Sequence, residues 1–350
     1  MLWLAPKLPQ SIVVKDYYLA HRPLVGGANV LGISCTTNEI TDTNIFANQI
    51  VQPVLQWLTN NPTKHPQCLI LFPDLPSRVW TTNGSGDYLA PAHSVAYGIS
   101  TNVLGVQPFV TSINMGLDQV DPHVTNDCIA YINKLASFGT NGQLIISASA
   151  GGYGNTNYVL DDIRHGTGYG GPGVDRDFSD FGATVSSATN GVLAAGVPQS
   201  AILFFDGLET LTNGVPYNRI HPTGMTNLAA YMSWGSHSSL GNEYPRNGTN
   251  RWVGQSGWWI IETIESFNGW RHIGQGNFTQ WFSQIAFGGT NYENTPVGAV
   301  SHTDEPNLPG VNNAPTYFGL WASGKSFVIS AWASRRTERF QAVGDPFVKK

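Results

Sequence analysis

The sequence predicts an α/β fold of three layers, in which a mainly parallel sheet carries helices on both faces. Three observations point there. Short, continuously apolar runs such as Val30–Cys35 and Cys68–Phe72 lack the polar alternation of a half-solvated strand, so they belong to a sheet covered on both sides. Between them lie segments of helical period on short links, which makes successive strands parallel and their crossovers right-handed. An apolar fraction of 41% is enough for a large core.

The elements follow in order. Met1–Ala5 reads as the first strand. Ser11 is placed to cap a helix over Ile12–His21, whose apolar residues share a face, and Pro23 stops it. Val30–Cys35 is the next strand, Thr41 or Asp42 opens a helix across Phe46–Leu58, and Asn60, Asn61 and Pro62 close it. Cys68–Phe72 is again a buried strand. Residues 74–122 hold Gly, Pro, Asn and Thr without a long helical period and read as a loop-rich excursion over the sheet. Asn126–Phe138 returns to a helix and Gln143–Ala148 to a strand, before a stretch rich in Gly and Asp at 150–180. A helix is expected over Ala183–Ala195, with strands at Ala201–Phe205 and Leu228–Ser233 and an apolar segment at Trp258–Ile264. A helix over Phe278–Phe287, a strand at Val297–His302 and a helix over Tyr317–Ser334 complete the pattern. No repeat, low-complexity tract or linker divides the chain, so residues 1–350 are expected to form one domain.

Composition narrows the partners. Charged residues make up 12%, about half the usual share. The polar surface is therefore built from Asn, Thr, Ser, Gln and Gly, a composition common in exported proteins. The expected location is periplasmic or extracellular, with the export signal upstream, because Met1–Ala5 is too short for one. No apolar run reaches the ~18 residues of a membrane span. The net charge of -5 and the lack of basic runs beyond Arg335-Arg336 and Lys349-Lys350 exclude nucleic acid as a partner. Cys35 ends one predicted strand and Cys68 begins the next. On parallel neighbours their sulfurs would stand roughly 15 Å apart, too far for a bridge. Together with Cys128 they read as small buried thiols without zinc or redox spacing.

Several segments carry candidate chemistry. Gly151–Asp162 follows a predicted strand, where open α/β sheets bind ligands, but its glycines fit neither a dinucleotide fingerprint nor a phosphate loop, so no nucleotide cofactor is expected. Asp175, Asp177 and Asp180 lie close together in a Gly-Pro-Gly context, a candidate calcium site or a solvated acidic turn. His237, flanked by Ser236 and Ser238 after the strand at Leu228–Ser233, is a candidate general base or a hydrogen-bonding loop residue. Ser266, after Trp258–Ile264, is a candidate nucleophile or a hydroxyl capping backbone, and no G-x-S-x-G elbow exists in the chain. Asp304 and Glu305 follow His302 at another strand end, and with His237 and Asp162 this segment could supply mixed nitrogen and oxygen ligands or an acid/base pair. Trp80, Trp252, Trp258, Trp259, Trp270 and Trp321 stand near polar groups, which suits either sugar stacking or core filling.

Seven motifs run through nearly the whole chain: SIVVKDYYLAHR at 11–22, CLILFPDLPSRV at 68–79, SV at 94–95, YMSWGSHS at 231–238, ESFNGWR at 265–271, HTDEP at 302–306 and VGDPF at 343–347. Together they resemble a bacterial family with a conserved domain of unknown function, many of whose members look exported. That family is distantly similar to the caspase-like fold of gingipain-type cysteine peptidases, a fold of the same layered kind as the Rossmann-like sheets. The resemblance implies a His-bearing loop after one strand and a nucleophile after the next, here His237 and Ser266. No Cys lies near 266, so an active cysteine peptidase is not implied. The resulting expectation is a hydrolase of the envelope or exterior, with His237 as base, Ser266 or a water as nucleophile, Asp304 or Glu305 as partner, calcium on Asp175, Asp177 and Asp180, and a small-molecule, peptide or glycan substrate. The alternative is a module that binds a glycan or polymer through its tryptophans and the 74–122 excursion.

Overall fold

A computed structural model describes residues 2–22, 29–82, 88–103, 109–115, 122–138, 156–165, 185–209, 223–234, 251–253, 256–271 and 278–350. The chain opens with β1 (Leu2–Pro6), α1 (Pro9–Ala20) and β2 (Val30–Ile33). Ser11 does not cap α1. The helix starts two residues earlier, because Pro9 suits a first turn, and Ser11 is buried within it. β3 (Ile40–Asp42) leads into α2 (Thr43–Phe46) and α3 (Gln52–Asn60), joined by a π-helical turn at Ala47–Val51. Here Asp42 is the cap, accepting from Asn44 N and Ile45 N at 2.8 and 2.9 Å.

β4 (Cys68–Leu71) is followed by β5 (Arg78–Thr82), β6 (Tyr88–Ser94), α4 (Val95–Asn102), β7 (Phe109–Ser112) and α5 (Pro122–Ser137). The stretch expected to be loop therefore holds two strands of a small sheet, completed by β3 in the order β3-β5-β6, a helix, and a strand of the main sheet. The strand expected at Gln143–Ala148 lies outside the described residues. Next come β8 (Asn157–His165), α6 (Val185–Ala194), β9 (Ile202–Glu209), β10 (Thr223–Met225), β11 (Leu228–Trp234), β12 (Arg251–Trp252) and β13 (Ile260–Ile264). α7 (Phe278–Trp281), β14 (Gly298–His302), α8 (Ala314–Ala322), α9 (Phe327–Ser334) and β15 (Phe340–Gly344) complete the chain. Two long helices expected from sequence are each broken. One stops at Trp281, and the other splits at Gly324, whose φ of 77° ends α8.

Ten strands form one sheet in the order β2-β1-β4-β7-β15-β14-β13-β11-β8-β9. β1 runs parallel to β2 and β4, β4 to β7, and β14, β13, β11, β8 and β9 are mutually parallel. Right-handed crossovers that move in opposite directions along the sheet put α1 and α4 on opposite faces, which gives the three layers. α1 packs on α5, while α6, α8 and α9 pack together. A Cβ at Gly191 would stand 1.9 Å from Pro315 O, so α6 and α8 cross at backbone contact. Four of the singled-out tryptophans, Trp252, Trp258, Trp259 and Trp321, are core residues, Trp252 stacking on Phe287 at 5.5 Å. All three cysteines are free, and burial pushes the Cys128 thiol up to about 12. Among the described residues, no helix is long and apolar enough to cross a membrane.

β15 lies at the join of the two halves. It pairs antiparallel with β14 over five residues and touches β7 through one locally parallel pair, Val343 with Ser112. Contacts at its two ends define its course. Phe340 O, at its start, accepts from Ser94 Oγ, and Ser94 stands beside the segment that follows β4, where Val95 N bonds Ser77 O at 2.9 Å. Asp345, just past its end, pairs with Arg22 and Tyr18 at the close of α1 and accepts no solvent. β15 thus runs against β4, and the carboxyl ends of β4, β13 and β14 share one rim.

Candidate active site

The rim is built by the turns after β4, β13 and β14. Beyond β13, the chain folds back onto β14. Asn268 accepts from His302 N at 2.7 Å and donates to Thr263 Oγ1 at 2.8 Å, while Gly269 N bonds His302 O at 2.8 Å. A Cβ at Gly269 would stand 2.9 Å from that carbonyl, so only glycine admits this approach. Strain gathers on the same edge. Asp74 (φ 74°), Phe267 (φ 58°) and Asn307 (φ 54°), one from each turn, hold left-handed backbone.

This zipping sets Ser266 against Glu305. Ser266 Oγ donates to Glu305 Oε2 at 2.7 Å, with the serine buried and the glutamate exposed. Asp304 does not turn to the serine. Its Oδ1 accepts from Glu305 N at 2.7 Å, which orients the glutamate backbone, and its Oδ2 stands 3.6 Å from Arg78 Nη1. Arg78 lies over Trp270 at 4.0 Å and Trp80 at 5.7 Å. A second buried pair, Arg271 with Glu39, ties the turn after β13 to the residue ahead of β3, and Arg271 Nη2 also reaches Leu75 O, ahead of β5, at 3.1 Å. Arg271, Asn114, Gln341 and Ser77 line a cavity of about 30 Å³ where β4, β7 and β15 meet the rim.

His302, part of the segment that the sequence offered as a ligand set or an acid/base pair, is fully buried. Its Nδ1 meets Glu265 O at 3.1 Å, and burial lowers its pKa to about 4, so it is a neutral structural imidazole. In β13, Glu262 points into the core toward Asn312 and Arg336, and burial raises its carboxyl to about 8. Asn312 and the charge of Arg336 oppose that rise without cancelling it.

Of the residues singled out in the sequence, Ser266, Asp304 and Glu305 come together. His237 lies outside the described residues. In sequence it follows β11, whose Trp234 pairs with Ile264 of the parallel neighbour β13. Asp175, Asp177 and Asp180 also lie outside the described residues, as does the side chain of Asp162. Among the described residues, no three His, Cys, Asp or Glu side chains converge as a metal site would require. Arg78, Glu39 and Arg271 were not singled out. Their only sequence signal is an arginine beside a tryptophan or proline turn. Comparison with family models, curated proteins and solved structures returned no match for this chain.

Proposed function

We propose that the protein is a hydrolase acting in the cell envelope or outside the cell, with Ser266 as nucleophile and Glu305 as the group that receives its proton. The observation that carries this is the 2.7 Å hydrogen bond from Ser266 Oγ to Glu305 Oε2 on the carboxyl rim, where parallel α/β sheets gather reacting groups. In the reaction, Oγ forms a bond to the substrate carbonyl carbon as its proton passes to the Glu305 carboxylate. The bond from that carbon to the leaving group then breaks as protonated Glu305 gives its proton to the departing group. Water next adds to the acyl carbon and gives one proton to Glu305, and the acyl–Oγ bond breaks as Oγ takes that proton back. His237, three residues after β11 in sequence, is the second base of this proposal, in line with the resemblance to gingipain-type enzymes. Calcium on Asp175, Asp177 and Asp180 belongs to it through sequence spacing alone.

A chromogenic panel of esters, peptides, lactones and glycosides, run with and without EDTA, tests the activity and the cation together. Ser266→Ala and Glu305→Gln are each expected to lower turnover on the substrate found by roughly 100-fold or more. Full turnover in Ser266→Ala would remove the proposal. A panel with no turnover but retention on a polysaccharide would favour the binding module instead.

A further inference from the structure

The rim holds a cationic group that neither the fold nor the Ser266–Glu305 pair uses fully. Three arginines are buried among the described residues, Arg22, Arg78 and Arg271. Two of them bond along the edge of the guanidinium formed by Nε and Nη2. In Arg22, Nε donates to Tyr18 OH at 2.9 Å and Nη2 to Asp345. In Arg271, Nε donates to Glu39 and Nη2 to Leu75 O at 3.1 Å. In Arg78 the same edge is buried and neither Nε nor Nη2 has an acceptor among the described residues. Among the described residues its one salt-bridge partner, Asp304, meets the other nitrogen at 3.6 Å, beyond hydrogen-bond length.

We infer that Arg78 recognises a carboxylate, holding a singly charged group of the bound molecule beside Ser266 and Glu305. That this molecule is the substrate rests on the hydrolase reading; the recognition itself does not. The Nε and Nη2 hydrogens of a guanidinium point the same way at the spacing of two carboxylate oxygens, so one edge takes both. Buried donors without an acceptor are costly, and an anion supplies two acceptors at once. Trp270 at 4.0 Å and Trp80 at 5.7 Å hold the plane of the group and leave its edge as the binding direction. The charge of the surroundings selects the ligand. Glu39 and Asp304 already act on Arg78, so a doubly charged phosphate meets more repulsion than a carboxylate does.

The test uses the whole chain with 4-bromobenzoate, 4-bromobenzamide and inorganic phosphate as probes, read by titration calorimetry and by the bromine position in soaked crystals. Expected are saturable binding of the benzoate, none of the amide, weaker binding of phosphate, and bromine beside Trp270. Arg78→Lys, which keeps the charge but loses the paired donors, should weaken the benzoate by roughly 10-fold or more. Ser266→Ala should bind as the parent does, so loss of the hydrolase reading would leave this one standing. Equal binding of the amide, tighter binding of phosphate, unchanged affinity in Arg78→Lys, bromine elsewhere, density without binding in solution, or a water alone on the Arg78 edge would each overturn the inference. If Arg78→Lys does not fold, the bromine position in the parent protein decides.

Discussion

Ser266 and His302 lie on neighbouring strand ends and are both buried, yet their environments ask different things of them. The serine hydroxyl donates a hydrogen bond to an exposed carboxylate, while the imidazole is held by a main-chain carbonyl in a site that disfavours charge. Because burial lowers His302 from 6.5 to about 4, the fold binds its neutral form, and the unfolded chain takes up the proton first. The resulting stability is full above pH 6.5 and declines as pH falls toward about 4, by on the order of 3 kcal/mol. Urea unfolding at a series of pH values should show this acid limb in the parent and a flatter profile in His302→Gln. At this scale the sequence was legible where a side chain followed directly from a strand end, as with Ser266, Asp304 and Glu305. It was not legible for Arg78 and Arg271, because a charge in a turn reads as solvated until tertiary structure supplies Asp304 and Glu39.

The turns that make the rim are short and strained, and their conformations are a property of the elements they join. Asn307 opens the 3-10 turn at Leu308–Gly310 with φ 54° and ψ 166°, a region that glycine alone visits freely. Asn307→Gly is expected to raise stability by about 1 kcal/mol, the relieved strain exceeding the added freedom of the unfolded chain. A rise in melting temperature with the Glu305 environment unchanged would bear this out, and a fall would mean the exposed amide contributes more than the strain removes. Element boundaries were legible wherever period and cap agreed, as at Asp42 ahead of α2. They failed where one apolar run served two elements: Tyr317–Ser334 keeps a helical period straight through Gly324, and only the reversal there separates α8 from α9. β7 was missed because four residues in a polar stretch carry too little pattern to read.

Across the whole molecule, the parallel sheet and its two helical layers followed from the alternation of apolar runs and helical segments. The antiparallel β15 did not, since pairing direction against a distant strand leaves no local trace. Its far end is fixed by Asp345, which is 0% exposed and bonds Tyr18 of α1 and Arg22 just beyond that helix, while its own N–H bonds Tyr131 of α5 at 2.7 Å. Removing one partner leaves a buried charge uncompensated, so Asp345→Ala should cost about 3–5 kcal/mol. Arg22→Met combined with Asp345→Leu should recover much of that loss. Chemical denaturation of the single and double variants checks the expectation, and equal destabilisation by both would refute it.

That placement bears on how the chain is made. β7 is synthesised early and β14 late, and the strand that separates them is the last of the sheet to leave the ribosome. Until it emerges, two partly formed sheets each present a naked edge to the cytosol or to a holding chaperone, and neither can close on the other.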